Sequence, residues 1–294
     1  MTFSRVAVVG AGLIGGSVVR RLAALGVETA VVDPGVSPTR SVPVEADLVV
    51  VAVPLDAMPS VLADVAVQAP DAVVVDVGSV KGTVAEAASS AGLDGRYVGA
   101  HPMAGTEHSG FEHSSADLLV GATWAVTRGP GPVAPVVAWL TEVFEASVVV
   151  LDADAHDRAV AHVSHLPHVL ANALLELAEG AGDRAAALLA AGSFRDGTRV
   201  AGRDALRTRN MLTDNAAALA PMLDDAIELL LAYRHELTEP DRLAEHLGRV
   251  ADGAAVVRQP ELRWTPCPDL DAALVGTGPV VVRRTGDGLE TAPA

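Results

Sequence analysis

Three glycines near the start of the chain constrain its fold more than any other feature. A β-branched run, Arg5-Val6-Ala7-Val8-Val9, leads directly into Gly10-Ala11-Gly12-Leu13-Ile14-Gly15-Gly16-Ser17, and Val18 to Leu25 then follow with helical spacing. When G-x-G-x-x-G closes a strand and opens a helix, each glycine has its own task. One makes the tight turn, one lets the backbone approach a pyrophosphate, and one lets the helix pack close to the strand. The N–H groups of the first helical turn then face the phosphates. The residues expected to touch such a cofactor are Gly10, Gly12, Leu13, Ile14 and Gly15, with Val53 and Pro54 at the end of the third strand. Asp33 ends the second strand, about 20 residues on, where a carboxylate accepts hydrogen bonds from a ribose 2′-OH and repels a 2′-phosphate. No basic residue follows it before Arg40. The expected cofactor is therefore NAD rather than NADP.

Further apolar runs follow at Leu48 to Val53, Ala72 to Val77, Tyr97 to Ala100, Trp124 to Thr127 and Ser147 to Leu151. Continuous apolar strands separated by helical patterns predict a parallel sheet covered on both faces. The fold class is thus an α/β N-terminal Rossmann domain with a mostly parallel sheet, followed by an all-α C-terminal domain. Pro34 to Glu45 is short and proline-rich, so the usual crossover helix is expected to shrink to a loop. After residue 152 the spacing turns helical, over Ala155 to Gly180, Arg184 to Ala191, Leu206 to Asn215 and Ala216 to Leu237. The expected division is a Rossmann domain over 1–152, a helical domain over 153–257, and a tail over 258–294 that forms a small strand pair or stays loose.

Composition narrows the function classes. Of 294 residues, half are hydrophobic, enough for the cores of two domains. No apolar run reaches the roughly 20 uncharged residues of a membrane span. There is no basic n-region of an export signal, and Cys267 is the only cysteine, so a cytoplasmic protein is expected. A net charge of −16 repels nucleic acid. A small anionic substrate then requires Arg and His gathered in one pocket. Lys81 is the only lysine.

Four polar clusters offer such groups. Asp76-Val77-Gly78-Ser79-Val80-Lys81-Gly82 and Gly99-Ala100-His101-Pro102-Met103-Ala104-Gly105-Thr106-Glu107 each follow a strand, at the sheet edge where open α/β folds bind ligands. His101 there suits proton abstraction from a substrate hydroxyl near neutral pH, and Ser79 suits orienting it. In Ser164-His165-Leu166-Pro167-His168, positions three and four apart share a helix face. Zinc is not expected at this H-x-x-H, because no third ligand accompanies it. Arg195 and Arg199, in Ser193-Phe194-Arg195-Asp196-Gly197-Thr198-Arg199, offer forked donors to carboxylates.

These clusters, in this order behind the glycine fingerprint, resemble the prephenate/arogenate dehydrogenase family of tyrosine biosynthesis, over about residues 5–237. The resemblance implies NAD-dependent oxidative decarboxylation of a cyclohexadienol and a homodimer formed through the helical domain. It also implies roles. His101 matches the histidine that bonds the ring C4 hydroxyl, and Ser79 the serine that holds both. Arg199 matches the arginine that pairs with the ring carboxylate. Ser164, His165 and His168 match the motif lining the substrate pocket, and Thr106 and Glu107 the residues at its mouth. Arg195 and Asp196 match positions facing the substrate side chain. The sequence departs from the family after the arginine motif, where a Ser-Asp-Pro and a tryptophan are usual. Here the run is Arg203-Asp204-Ala205, with Thr208 in the tryptophan position. Prephenate, arogenate and 4-amino-4-deoxyprephenate therefore all stand as substrates. A β-hydroxyacid dehydrogenase of similar plan would need a lysine in the helical half, where none exists. A non-catalytic NAD-binding regulator would have no use for His101 and Arg199.

Overall fold

The computed structural model describes residues 2–105, 109–180, 184–202, 204–258 and 260–294. Thr106 and Glu107 lie outside the described residues. The chain groups into two compact units: Met1–Ala159 with Gly202–Asp214 and Trp264–Ala294, and Val160–Ala201 with Asn215–Arg263. The sequence divides into three consecutive stretches, whereas the contacts send two later segments back to the first unit.

The first unit is built on one sheet. β1 (Val6–Val9) turns at Gly10 into α1 (Leu13–Ala24), and β2 (Thr29–Val32) pairs parallel to β1. β3 (Leu48–Val51) joins the other side of β1. Then α2 (Met58–Gln68), β4 (Val73–Asp76), α3 (Gly82–Ser90) and β5 (Tyr97–Pro102) continue the parallel order β2-β1-β3-β4-β5. No helix spans residues 34–45, in line with the proline-rich reading of that stretch.

Alternation along the strands explains the two buried layers. Val6, Val8, Leu48 and Val50 pack on one face with Val18, Leu22, Trp124 and Trp139. Ala7, Val9, Val49 and Val51 point to the other face, against Met58, Leu62 and Val65. Full burial of each such Val or Leu contributes about 1.5–3 kcal/mol.

The sheet is not parallel throughout. β6 (Thr123–Thr127) pairs antiparallel to β5. Parallel strands need a crossover helix, and between β5 and β6 the described residues form only a 3₁₀ turn at Phe111–His113. α4 (Val133–Val143) then returns the chain to β7 (Ser147–Leu151), parallel to β6.

The last segment, read from sequence as a strand pair or a loose tail, extends this sheet. β8 (Thr265–Pro266), a short helix at Leu270–Ala273, β9 (Val280–Thr285) and β10 (Gly288–Pro293) give the order β7-β9-β10-β8. β9 pairs Val280, Val281 and Val282 with the Val148–Val150 stretch, and Val282 joins the first buried layer. An apolar β7 left as an edge would invite association with other chains.

The second unit is helical. α5 (Ala153–Val160) belongs to the first unit up to Ala159; the chain then passes a π turn at Ala161–His165 and continues in α6 (Leu166–Gly180), α7 (Arg184–Leu189) and α8 (Gly192–Thr198). α9 (Ala205–Asp214) belongs to the first unit, where it packs on the turn Leu55–Ala57. α10 (Ala216–Glu236) and α11 (Pro240–Arg258) complete the second. α11 begins on a proline, whose missing N–H costs nothing at a first helical position. Among the described residues, no helix is long and apolar enough to cross a membrane.

Candidate active site

β1 to β5 run parallel, so their carboxyl ends share one edge of the sheet. The glycine turn, Asp33, Val53 and Pro54, Ser79 and His101 all follow or end these strands. At the turn, Gly10 takes φ +86°, a left-handed conformation that favours glycine. A Cβ on Gly15 would fall 2.0 Å from the Gly10 carbonyl oxygen, so only glycine lets α1 approach β1 this closely. A Cβ on Gly12 would meet nothing within 4 Å, and Gly12 provides no side-chain cap for α1. Space and first-turn N–H donors thus coincide, which fits the diphosphate of a dinucleotide. Leu13 and Ile14 form that first turn. Asp33 accepts from Ala11 N–H at 2.7 Å through one oxygen and from Gly35 N–H at 2.8 Å through the other. Each oxygen has a second lone pair for ribose hydroxyls.

A buried polar network fixes the neighbouring edge. Lys81 is fully buried; its Nζ pairs with Asp76 and donates to the Ala100 carbonyl at 2.8 Å. Tyr97 OH donates to the other Asp76 oxygen at 2.6 Å. Burial pulls the Lys81 pKa down, opposed by Asp76, and burial together with Asp76 drives Tyr97 far above the ordinary phenol range. Tyr97 therefore stays a donor, and the only lysine is occupied in tying β4 to β5. The network sets the turn that carries Ser79, which is half-buried, and the strand end that carries His101.

His101 is half-buried, with its Nδ1 3.0 Å from Nε2 of His156. His156 is 1% exposed and sets its Nδ1 2.8 Å from Asp157 Oδ1. The Asp157 carboxylate also accepts from Lys81 N–H and Gly82 N–H, each at 2.8 Å. It thereby caps α3, which gets no cap from its own N-cap side chain. Burial pushes the Asp157 pKa up, but the His156 N–H and the two backbone amides outweigh it and hold the group below its usual range. Sequence reasoning did not single out His156 or Asp157. Their one local signal is an adjacent His-Asp pair in a helix, and the partner histidine is 55 residues away.

In the second unit, Ser164 and His165 end the π turn, a form often found at functional positions. His165 is buried, and Asn215 Nδ2 donates to its Nδ1 at 3.0 Å. Ser164 and His168 are half-buried. α8 packs on α6 and places Arg195 and Asp196 at exposed positions, with Arg199 exposed immediately after the helix. The predicted residues thus divide between the two units: the glycine turn, Asp33, Ser79 and His101 belong to the first, and the Ser164–His168 and Arg195–Arg199 segments to the second.

The sequence matches the family description "prephenate dehydrogenase, nucleotide-binding domain" over residues 10–159 and "prephenate dehydrogenase, dimerization domain" over residues 152–249. It is 33% identical over 211 residues to the cyclohexadienyl dehydrogenase of Zymomonas mobilis, covering 69% of this chain and 72% of that protein. It is similar to the crystal structure of a Corynebacterium glutamicum protein described as a prephenate dehydrogenase, with TM-score 0.77 and 33% identity, covering 92% of this chain and 95% of that one. Synechocystis arogenate dehydrogenase aligns with TM-score 0.73 and 27% identity, covering 85% of this chain and 98% of that one.

Proposed function

The chain belongs to the prephenate dehydrogenase family of NAD-dependent dehydrogenases, and from that premise we propose that it converts prephenate to 4-hydroxyphenylpyruvate with loss of carbon dioxide. The observation that carries this reading is His101, held at the carboxyl edge of the sheet that also bears the glycine turn. β1 and β5 are three strand spacings apart, about 14 Å, a span suited to a dinucleotide laid along the edge.

Bound at Gly10, Gly12, Leu13, Ile14, Gly15, Asp33, Val53 and Pro54, NAD supplies the hydride acceptor. His101 takes the proton of the C4 hydroxyl as hydride leaves C4, and Ser79 holds the hydroxyl and the imidazole in line. The carbonyl that forms drains the electrons of the carboxylate C–C bond, carbon dioxide departs, the ring becomes aromatic, and His101 returns the proton to the phenolate oxygen. Arg199 pairs with the ring carboxylate, with Ser164, His165 and His168 lining the substrate pocket. The protein's contribution is orientation, one base and one cationic clamp. The helical unit forms a homodimer.

Asp196 favours a second reading. An exposed carboxylate next to Arg195 suits the ammonium-bearing side chain of arogenate. 4-Amino-4-deoxyprephenate, with nitrogen at C4, stands beside it, because the family's tryptophan position is Thr208 here. NADH formation with the three substrates side by side tests the proposal. Prephenate is expected to give the highest kcat/KM, and a preference for either other dienol would replace it.

A further inference from the structure

Nothing in the mechanism above uses His156 or Asp157, although both stand behind His101 in the same unit. A carboxylate only accepts, so its 2.8 Å contact with His156 requires the proton on His156 Nδ1. In the neutral ring, Nε2 of His156 then carries the lone pair. That nitrogen lies 3.0 Å from His101 Nδ1, so the shared proton sits on His101. The lone pair of His101 is left on Nε2. Asp157 is itself fixed by the Lys81 and Gly82 amides, so the series of acceptors is anchored to the backbone at the start of α3.

We propose that His156 and Asp157 are positioning residues that hold His101 as the Nδ1–H tautomer and present Nε2 as the acceptor of the substrate proton. The inference rests on the reading of His101 as the base. One proton moves, from the substrate oxygen to His101 Nε2 and back to that oxygen once the ring is aromatic, and those on Nδ1 of both histidines stay where they are. The imidazolium that forms donates from Nδ1 to His156, whose own N–H is held by Asp157, so a carboxylate two groups away stabilises the new charge. The other ionisable groups packed on this corner offset one another: Asp76 pairs with the Lys81 ammonium, and Tyr97 is a neutral donor to Asp76. Asp157 is the carboxylate that faces the relay, through its contact with His156.

Two-bond ¹H–¹⁵N correlations on full-length protein labelled at histidine nitrogen read the tautomer directly. The ring that disappears in His101→Asn is expected to show a protonated Nδ1 and an unprotonated Nε2. The opposite pattern overturns the proposal, even if no variant of His156 folds. In turnover, His156→Leu removes the acceptor, whereas His156→Gln keeps an oxygen in reach of His101. The Leu variant should lose about ten- to a hundredfold in kcat, part of what a positioned base is worth. Its NAD affinity should stay within about twofold, since the relay touches no cofactor residue. Without the acceptor the imidazolium is harder to form, so the acid limb of kcat should move to lower pH by about 0.5–1 unit. The Gln variant should recover most of both losses. A Leu variant with wild-type kcat and acid limb, or one indistinguishable from Gln, overturns the relay. An Nδ1–H ring in a protein inactive on all three dienols would sink the functional reading instead. An Nε2–H ring in an active enzyme would sink the relay alone.

Discussion

His101 and Asp157 separate chemistry from stability at the scale of single residues. His101→Asn removes the proposed base without touching the glycine turn, so kcat should fall by about 10²–10⁴ while NAD still binds with wild-type affinity. Retained turnover in that variant would remove His101 from the reaction. Asp157 ties α5 to the start of α3 through two backbone amides. Its folded pKa lies below the ordinary carboxylate value of about 4. The stability it contributes is therefore complete above that value and lost as pH falls through the lower, folded one. Asp157→Asn should cost on the order of 1–3 kcal/mol at pH 7 in urea unfolding, and the gap to wild type should close at the acid end. A gap equally wide at pH 3 and pH 7 would show that shape, not charge, matters there. Sequence reading reached His101 because a histidine after a strand lies where ligands bind. It passed over Asp157, whose partners lie 75 and 76 residues away.

At the scale of elements, the contact between β1 and α1 decides whether a cofactor can bind. Gly15→Ala puts a methyl group 2.0 Å from the Gly10 carbonyl oxygen, backbone against backbone, so α1 must shift outward. The expected result is at least a tenfold loss of NAD affinity, read by fluorescence titration, with a lower Tm. Crowding in packed cores costs about 1–3 kcal/mol. Unchanged NAD affinity would show that the turn tolerates an outward shift of the helix. The elements themselves were legible where pattern and length agreed, as in the strands at Leu48–Val51 and Val73–Asp76 and the helix at Ala216–Glu236. The π turn at Ala161–His165 was not, because a one-residue change in hydrogen-bond register leaves no mark on apolar spacing.

At the scale of the whole molecule, the helical unit leaves apolar side chains exposed. Leu174, Leu177, Ile227, Leu230 and Leu231 are among them, on α6 and α10. Exposed apolar side chains gathered on two helices suit an association surface. Light scattering should give twice the 30.0 kDa chain mass. Leu177→Asp, which alters a side chain already 73% exposed, should shift the protein toward monomer with its helical content intact. A wild type that remains monomeric at micromolar concentration would overturn the dimer. The sequence by itself determined the Rossmann class and the glycine turn between the first strand and its helix, with Asp33 at the end of the second strand, because each depends on residues close in the chain. Only the tertiary structure decided that the last 31 residues extend the first sheet, that Lys81 is tied up with Asp76 and Tyr97, and that His156 stands behind His101. Those outcomes turn on which strand edges and buried polar groups lacked partners once the chain had folded, a competition that no local pattern records.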